Sequence, residues 1–470
     1  MQVDTKKWTK KINELINNNK YIVYTMGCQL NENDSEKISG MLEESGYIRT
    51  NNPEEAAVIV FNTCCVRENA EDRLFGKLGE VKKCKDENGT IIAIGGCMMQ
   101  EKNMVDKLKR SYPFVDLIFG PHTLEKFPEN LYNILKEHKK IDDILDIDGY
   151  IYEGIPVVRD DKYKASVPIM NGCNNFCAFC IVPYVRGRER SRNPQDIINE
   201  IQELANNGYK EITLLGQNVN SYLVSQKQKG EDVNYKITVQ NEDMIVNSFA
   251  TLLRAINKIE GIERIRFISP HPKDFTDDVI EAIKDCEKVC KLIHLPLQSG
   301  STEILRVMNR KYTKEQYLNL VDKIRGKIPE ATFTTDIIVG FPGETEQDFE
   351  DTLDVVKRVK FEQVFMFIYS RRVGTVADKM ENQVDEEIKH IRFEKLKRLY
   401  AELVEESNKK YVNTVQRVLV EGVSKTNDKM LTGRTESNKV VNFEGSKELI
   451  GTMQDVEVIS EHMWYLKGKL

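Results

Sequence analysis

Three cysteines within eight residues, Cys173, Cys177 and Cys180, constrain this chain more than any other feature. Their C-x3-C-x2-C spacing lets one loop wrap a single iron–sulfur cluster, and an apolar segment at 167–170 leads directly into that loop. A four-iron cubane normally takes four thiolates, so one iron would lack a protein ligand and could bind a small molecule. A zinc site would need a fourth protein ligand, and chance clustering is the other alternative. The spacing favours a cluster.

Length, cysteine content and charge restrict the class of protein. A chain of 470 residues is too long for one core, so we expect two to four domains. The polar N-terminus and the absence of 18 consecutive apolar residues predict neither a signal peptide nor a membrane span. Ten cysteines without an export signal favour metal ligation in the cytoplasm over disulfides. With a net charge of −6, any contact with RNA must depend on local patches.

The N-terminal third alternates short apolar segments with helical ones. After a polar lead-in at residues 1–19, expected to be helical from Lys10 to Asn17, the predicted strands lie near 21–24, 58–61, 91–94 and 114–119. This alternation predicts a parallel α/β sheet domain over residues 20–138. We expect the first intervening helix to be capped at Asp34 or Ser35, the second to follow Cys65 and run to about Lys85, and residues 139–158 to form an acidic connector.

Three further cysteines, Cys28, Cys64 and Cys97, each follow the end of a different predicted strand. Ligands of parallel sheets bind outside the carboxyl ends of the strands, so folding would bring these thiols to one edge. Each alone is more often an inert free thiol, but three equivalent positions predict a second cluster with three thiolates. Cys65 competes with Cys64, which we prefer because Asn62-Thr63-Cys64 parallels the other two turns. Three cysteines without such a position are interpreted as incidental: Cys84, Cys286 and Cys290.

A second α/β series occupies residues 159–396. Its predicted strands lie near 167–170, 211–215, 264–268, 292–297, 333–339 and 364–369. Asn193-Pro194 and Thr345 mark the starts of intervening helices. Six strand–helix units predict a partial (β/α)6 barrel with its chemistry at the carboxyl ends of the strands. Residues 223–247 are polar and without a clear pattern, so we expect an inserted surface loop. A long charged helix from Asp385 to about Lys410 leads out of the barrel.

The C-terminal residues 407–470 change character to short alternating strands with glycine turns, which predict a small β-barrel. This segment has ten lysines and arginines against eight acidic residues, inside an acidic protein. If exposed, Arg434, Lys439, Phe443 and Trp464 would suit phosphate contact and base stacking. The alternative is that the aromatic residues form the barrel core and the charges form a solvated face.

Together these motifs resemble the methylthiotransferase family of radical S-adenosylmethionine (SAM) enzymes, from Tyr21 to Leu470. The resemblance depends on residues 25–35, 62–64, 95–100, 172–187, 294–301 and 336–344, while residues 422–470 resemble the RNA-binding TRAM domain. Residues 113–120 point to the branch that adds a methylthio group to C2 of N6-isopentenyladenosine at position 37 of tRNA, next to the anticodon. The Cys64-Cys65 doublet and the length of the 223–247 segment depart from the family pattern.

The resemblance implies two 4Fe-4S clusters and SAM. The cluster on Cys173, Cys177 and Cys180 would reduce SAM to a 5′-deoxyadenosyl radical, and the second cluster would hold the sulfur that another SAM methylates. C2 of adenine carries a strong, unactivated C–H bond, which acid–base groups cannot break and a radical cofactor can. The implied partners are the anticodon loop of isopentenylated tRNA and a reducing electron donor. We expect a cytoplasmic monomer.

Several residues at the barrel's strand ends are candidates for contacts with SAM. Three glycines would let the backbone approach SAM closely: Gly216, Gly340 and Gly343. Four polar residues are candidate hydrogen-bond partners: Gln217, Gln298, Ser299 and Glu344. Four alternate arginines follow the cysteine loop and would suit either phosphate and carboxylate binding or a solvated face: Arg186, Arg188, Arg190 and Arg192.

Two other functions compete with this interpretation. A sister methylthiotransferase would act on threonylcarbamoyladenosine in tRNA or on an aspartate of a ribosomal protein. A non-enzymatic, ferredoxin-like electron carrier would normally have four thiolates per cluster and no need of either barrel. Cleavage of SAM by the reduced protein separates the enzyme from the carrier.

Overall fold

The computed structural model describes residues 4–65, 70–145, 150–425 and 427–470. It contains two compact units. The first comprises Met1–Asp160, Asn171–Asn174 and Ile181–Arg190, and the second comprises Asp161–Met170, Asn175–Cys180 and Ser191–Leu470. Four parts of the predicted organisation lie outside the described residues: 1–3 of the lead-in, 66–69 at the start of the second helix, 146–149 of the connector, and 426 in the C-terminal domain.

The first unit contains a parallel six-stranded sheet, as predicted. Its strands, in the order β2-β1-β3-β4-β5-β6, are β1 (Lys20–Met26), β2 (Ile48–Arg49), β3 (Val58–Thr63), β4 (Ile91–Gly96), β5 (Leu117–Phe119) and β6 (Ile141–Asp143). Alternate residues of β3 enter different cores: Ile59 and Phe61 pack on one side, and Val58 and Val60 pack on the other. A parallel sheet covered on both faces requires this uninterrupted apolar run.

The helices between the strands of this sheet and around it are α1 (Lys6–Asn13), α2 (Gln29–Glu44), α3 (Ala70–Asn88), α4 (Lys102–Ser111) and α5 (Phe127–Glu137). The predicted cap at Asp34 or Ser35 is wrong, because α2 begins earlier and has Cys28 at its N-cap, with the Asn31 side chain accepting from the Cys28 N–H. The lead-in helix is α1 and ends before Asn17. The acidic connector contains β6, which pairs with β5 in parallel.

Residues 164–368 contain the six predicted barrel strands among the following elements: β7 (Lys164–Pro168), β8 (Met170–Asn171), β9 (Arg190–Ser191), β10 (Glu211–Leu215), β11 (Tyr235–Val239), β12 (Glu242–Val246), β13 (Arg264–Phe267), β14 (Leu292–His294), β15 (Thr332–Val339) and β16 (Gln363–Ile368). Parallel arcs β7-β10-β13 and β14-β15-β16 make up the partial barrel, and a parallel bridge from Ile265 to Val289 continues the first arc toward the second. The first strand starts and ends earlier than the predicted 167–170.

The short helix α6 (Val182–Val185) belongs to the first unit. The helices of the second unit are α7 (Pro194–Asn206), α8 (Val224–Gln228), α9 (Phe249–Asn257), α10 (Asp277–Asp285), α11 (Thr302–Val307), α12 (Lys314–Lys327), α13 (Glu346–Val359) and α14 (Glu386–Lys409). The predicted helix starts are confirmed, and the structure shows that the side chains of Asn193, Thr345 and Asp385 accept backbone N–H groups at the starts of α7, α13 and α14. None of the described helices combines the length and apolar character needed to span a membrane.

The expectation of a surface loop at residues 223–247 is wrong. The segment contains α8 and an antiparallel hairpin of β11 and β12, and Ile237, Val239 and Val246 are buried in the barrel's hydrophobic core. Gln240 and Asn241 form the two-residue turn, both with positive φ, which is the backbone that the right-handed strand twist favours. Lysines and acidic residues on the exposed face concealed the alternation.

The C-terminal segment is a closed barrel with the strand order β17-β18-β19-β21-β20, which confirms the predicted small β-barrel. Its strands are β17 (Val415–Ser424), β18 (Asn427–Arg434), β19 (Val440–Glu444), β20 (Met453–Glu461) and β21 (Leu466–Lys469), of which the sequence did not predict the last. Phe443 is fully buried among Val418, Val441 and Val456, so for this residue the alternative of an aromatic barrel core is the one that the structure supports. Trp464 is 73% exposed.

Candidate functional site

Strand register places the N-terminal cysteines at one edge of the first unit. Met26 of β1 pairs with Thr63 of β3, and Thr63 pairs with Gly96 of β4, so three neighbouring strands end level with one another. Cys28 follows the first strand by two residues, while Cys64 and Cys97 come directly after the other two. The structure thus brings together the three predicted thiols at the carboxyl edge of the sheet.

A buried amide network fixes these strand ends. Asn31 Nδ2 donates to Asn62 Oδ1 and to the Thr63 carbonyl, both at 3.1 Å, and Asn62 Nδ2 donates back to the Asn31 carbonyl at 2.8 Å. Gly96 has φ +98°, and a Cβ there would lie 2.2 Å from the Thr63 carbonyl oxygen. Only glycine allows the strands to approach so closely at this point.

The four clustered thiols divide into two hydrogen-bonded pairs. The bond with Cys64, helped by Arg186, lowers the pKa of Cys28 to about 6 against the opposing effect of burial. The bond with Cys65 likewise lowers the pKa of the buried Cys97, again with help from Arg186, and the same bond and burial raise the pKa of Cys65 well above its ordinary value. Thiolate, the form that binds iron, is therefore favoured on Cys28 and Cys97.

Arg186 is the cation of this edge. Its Nε donates to Cys97 Sγ at 2.9 Å, and one terminal nitrogen lies 2.6 Å from Asp34 Oδ2. The side chain is buried, and the carboxylate and thiolates raise its pKa well above the usual value although burial opposes this. The four arginines therefore do not form one solvated face, because Arg186 and Arg192 are buried while Arg188 is exposed.

Among the described residues, no group of three or more His, Cys, Asp or Glu side chains is arranged to hold one metal ion. A cubane places a different iron on each thiolate, so its ligands surround a cluster and need not converge on one ion. The thiolate donors and the buried guanidinium at this edge fit an anionic cluster chemically. Cys84, Cys286 and Cys290 lie elsewhere, in α3 and in the barrel, where burial raises the pKa of Cys290 to about 11.

The second cysteine motif is held by its own loop contacts. In the first unit, the Cys173 N–H donates to the Gly187 carbonyl at 3.2 Å, and Gly172 has φ +79° with the Arg188 carbonyl where a Cβ would be. In the second unit, the Cys180 N–H donates to the Cys177 carbonyl at 2.9 Å, and Phe176 has φ 48°. Both positive-φ residues turn the chain sharply beside a cysteine.

Sequence reasoning missed Asn309 and Arg310, which support this motif. Asn309 Nδ2 donates to the carbonyls of Asn175 and Phe176 at 3.2 and 2.9 Å. The buried Arg310 lies 3.4 Å from Cys177 Sγ and also donates to the Pro296 carbonyl. A cation beside a thiolate stabilises its charge, which fits a cluster ligand. A lone arginine after a helix gives no sequence signal of this kind.

The predicted SAM contacts all lie in the second unit at strand ends, but their surroundings differ. Gln217 Oε1 is buried without a hydrogen-bond partner in the described chain, as a group awaiting a ligand would be. Gln298 has φ 72°, and its backbone bridges to β15. Ser299 is fully buried and accepts from the Ser301 N–H at 3.2 Å, which is a structural role. Gly216 packs against Met170.

The side chain of Glu344 is already hydrogen-bonded to other groups of the protein. It accepts from the Gly340 N–H at 3.0 Å and from Arg392 at 2.8 Å, while burial raises its pKa to about 7. Gly340 and Gly343 have φ +75° and +85°, with Lys389 and Asn382 where a Cβ would be. These glycines are explained by backbone conformation and close packing. Their contact with SAM stays a prediction.

Family models match three parts of the chain. The Radical SAM superfamily matches residues 167–356, an uncharacterized protein family designated UPF0004 matches residues 20–120, and the TRAM domain matches residues 409–470. Among solved structures, a radical S-adenosylmethionine methyltransferase, TsrM, from Kitasatospora setae has a TM-score of 0.53 at 13% identity, covering 77% of this chain and 75% of that chain. At this identity the likeness concerns the fold alone.

Curated relatives match over nearly the full length. A protein from Clostridium botulinum (strain Alaska E43 / Type E3) is 53% identical over 451 residues, which are 96% of this chain and 95% of the relative. One from Acetivibrio thermocellus is 52% identical over 96% of this chain and 90% of its own. Both carry the name tRNA-2-methylthio-N(6)-dimethylallyladenosine synthase.

Proposed function

The chain belongs to the family of tRNA-2-methylthio-N(6)-dimethylallyladenosine synthases within the radical SAM enzymes, and from that premise we propose that it methylthiolates C2 of N6-isopentenyladenosine at position 37 of tRNA. The observation that carries the proposal is that β1, β3 and β4 end side by side at the same edge of the sheet. It supports one cluster on Cys28, Cys64 and Cys97, separate from the C-x3-C-x2-C loop. A carrier protein has no use for two such three-cysteine sites.

The radical SAM cluster takes Cys173, Cys177 and Cys180 as ligands in this proposal. With SAM bound, such a cluster supplies the one-electron chemistry that an unactivated C–H bond requires. Arg310 stabilises the thiolate of Cys177, and Asn309 holds the two carbonyls that precede it. Gln217 is the candidate for a hydrogen bond to SAM, because it follows the end of β10 and its buried Oε1 has no hydrogen-bond partner within the described chain.

The carboxyl edge of the first unit's sheet holds the second cluster and the sulfur to be inserted. Cys28, at the N-cap of α2, and Cys97, beside Arg186, are the thiols whose pKa values are lowered, which favours binding of iron. Arg186 offsets negative charge at this edge and fixes the Cys97 sulfur through its bond from Nε. Cys64 and Cys97 are buried, so these two ligands are shielded from water and from exchange with other thiols.

The C-terminal barrel contributes contacts to the anticodon arm of tRNA in this proposal. We expect a monomer that works in the cytoplasm, where tRNA is modified, with a separate reducing electron donor. The name of the relatives supports the isopentenylated substrate over threonylcarbamoyladenosine or a ribosomal protein.

The experiment is a turnover assay with anaerobically reconstituted protein, SAM, a chemical reductant and tRNA bearing isopentenyladenosine. We expect roughly eight irons and eight sulfides per chain, from two cubanes. Nucleoside mass spectrometry should detect 2-methylthio-N6-isopentenyladenosine, and tRNA with threonylcarbamoyladenosine should give no product. Only four irons in fully loaded protein would contradict the second cluster, and product from the threonylcarbamoyl substrate alone would reassign the enzyme.

A further inference from the structure

The concave face of the second barrel arc carries two exposed aromatic rings. Asp336 of β15 pairs with Phe365 of β16, and Ile338 pairs with Phe367, so these four side chains share one face of the sheet. Phe365 is 40% exposed and Phe367 is 51% exposed. Large apolar side chains left open on the inner face of a barrel mark a binding surface more often than a structural one.

The opposite face of the same strands is the core face. Phe333, Ile337 and Val339 of β15 and Val364 of β16 are buried against residues of the surrounding helices. Side chains alternate between the two faces of a strand, so Phe365 and Phe367 point away from this core and into the barrel. Their exposure is therefore not a consequence of loose packing against the helices.

Polar groups border the aromatic pair on one side. His294 of β14 contacts Phe365 edge-on at 5.9 Å, its Nδ1 lies 2.8 Å from Thr334 Oγ1, and its Nε2 lies 3.4 Å from Asp336 Oδ2. The carboxylate remains partly exposed. By strand register, this face of β14, β15 and β16 carries no lysine or arginine in the described chain.

The other end of this inner face lies next to the cysteine loop. Ile338 packs against the hydrophobic cluster that contains Ala178, Phe341 and Tyr369, and Ala178 lies between Cys177 and Cys180 in the chain. The apolar face thus extends along the barrel from His294 to the loop that supplies two of the cluster cysteines. A substrate group held against it would lie inside the barrel, near the end where radical chemistry is expected.

We infer that Phe365 and Phe367 form the wall that receives the N6-isopentenyl group of the target adenosine and set the preference for it. The inference rests on the proposed function and names the part of the substrate that this face selects. A branched five-carbon group is apolar and matches two phenyl rings. A threonylcarbamoyl group carries a carboxylate, which would lose water against the rings, meet no cation on this wall and be repelled by Asp336.

The test compares Phe365→Ala, Phe367→Ala and the double variant with the natural chain. Fluorescence anisotropy gives the affinity of each loaded protein for an anticodon stem-loop with isopentenyladenosine or plain adenosine at position 37. The same RNAs give kcat/KM for methylthiolation. We expect the alanine variants to lose about 10- to 100-fold in both quantities on the isopentenylated RNA, the range for lost apolar contacts in a pocket. Values for the unmodified RNA should change less than threefold.

Three controls make the outcome decisive. Phe367→Leu keeps an apolar wall and should retain most of the preference for the isopentenylated RNA. Ile391→Ala removes an exposed apolar side chain on α14, outside the barrel, and should bind both RNAs like the natural chain. SAM cleavage without RNA should stay within about twofold of the natural rate in every variant, because the wall serves the substrate.

The inference is overturned if the affinity ratio between the two RNAs is unchanged in the double variant, or if RNA-independent SAM cleavage collapses, which would assign the rings to SAM. Failure of the natural chain to make any methylthiolated nucleoside would count against the proposed function instead. The binding ratio would still decide the role of the two rings.

Discussion

At the scale of single residues, charge placement separates functional from ordinary side chains. The sequence shows four alternate arginines after the cysteine loop and cannot rank them, because burial depends on tertiary packing. The structure singles out Arg186, which joins Asp34 to Cys97 in a buried position, whereas Arg188 points to solvent. Arg310 could not be singled out from the sequence either, because the Cys177 that it contacts lies far from it along the chain.

Arg186→Gln is predicted to destabilise the cysteine site at the carboxyl edge of the first unit's sheet. It leaves the Asp34 carboxylate without its cation and removes the Nε donor from Cys97, and breaking a buried pair from one side typically costs about 3–5 kcal/mol. We expect a lower midpoint of thermal unfolding and reduced iron retention after reconstitution. Arg188→Gln, the matched control, should resemble the natural chain in both measurements. Equal midpoints and iron contents in the two variants would show that Arg186 has no such role.

At the scale of elements, the sequence predicted what depends on local patterns. The four core strands of the first sheet, the six barrel strands and the helix starts at Asn193, Thr345 and Asp385 were all predicted, because apolar runs and helix-start residues are local signals. The sequence missed the edge strands β2 and β6 and the hairpin of β11 and β12. Their short or polar segments become strands only through pairing with a neighbour.

The candidate sites divide in the same way. Strand-end position predicted that Cys28, Cys64 and Cys97 share an edge, because the carboxyl ends of neighbouring parallel strands lie at the same edge of a sheet. The two thiol pairs, Cys28 with Cys64 and Cys65 with Cys97, depend on side-chain direction after the turn, which spacing does not determine.

The hairpin gives a direct test of the corrected segment. Ile237→Ala should lower the free energy of unfolding by about 2–5 kcal/mol, since it removes a buried side chain from the barrel core. Lys236→Ala changes the adjacent exposed position and should stay within about 0.5 kcal/mol of the natural chain. Urea titration of both variants measures the difference. If Ile237→Ala were as stable as Lys236→Ala, the segment would be a surface loop after all.

The C-terminal barrel offers a second test at this scale. Trp464 is the most exposed large apolar residue of the barrel, next to the stacked rings of His462 and Tyr465 at 4.3 Å. Trp464→Ala should weaken tRNA binding about 5- to 100-fold, as loss of one stacked base does, and leave the salt dependence unchanged because no charge is removed. Val415→Ala, an exposed apolar control in the same barrel, should bind normally. Unchanged affinity of the tryptophan variant would remove this face from the RNA contact.

At the scale of the whole molecule, the C-terminal barrel is integrated into the second unit. Arg264 donates to the carbonyl of Arg434, and Arg266 donates to the carbonyls of Thr435 and Glu436. Both guanidinium groups belong to β13 and are mostly buried, so deleting residues 412–470 would leave them without these acceptors. A truncation therefore tests stability as well as RNA binding, and point substitutions such as that at Trp464 are the cleaner experiment.

In the proposed function the two cysteine sites of the molecule divide the reaction between them. We expect the loop with Cys173, Cys177 and Cys180 to serve SAM cleavage, and the sheet edge with Cys28, Cys64 and Cys97 to serve delivery of sulfur. Cys65 is buried beside Cys97 with Ile181 and Val185, in a place where a small apolar residue would fit. Substitution of single cysteines can therefore separate the two activities.

The decisive measurement quantifies 5′-deoxyadenosine and the methylthiolated nucleoside in one reaction of the Cys97→Ala protein with SAM, reductant and isopentenylated tRNA. We predict 5′-deoxyadenosine at a rate near that of the natural chain and no methylthiolated product, with Cys64→Ala behaving alike, Cys65→Ala retaining product, and Cys173→Ala losing both. Methylthiolated nucleoside at near natural yield from Cys97→Ala would contradict the account, because the N-terminal thiols would then not carry the sulfur.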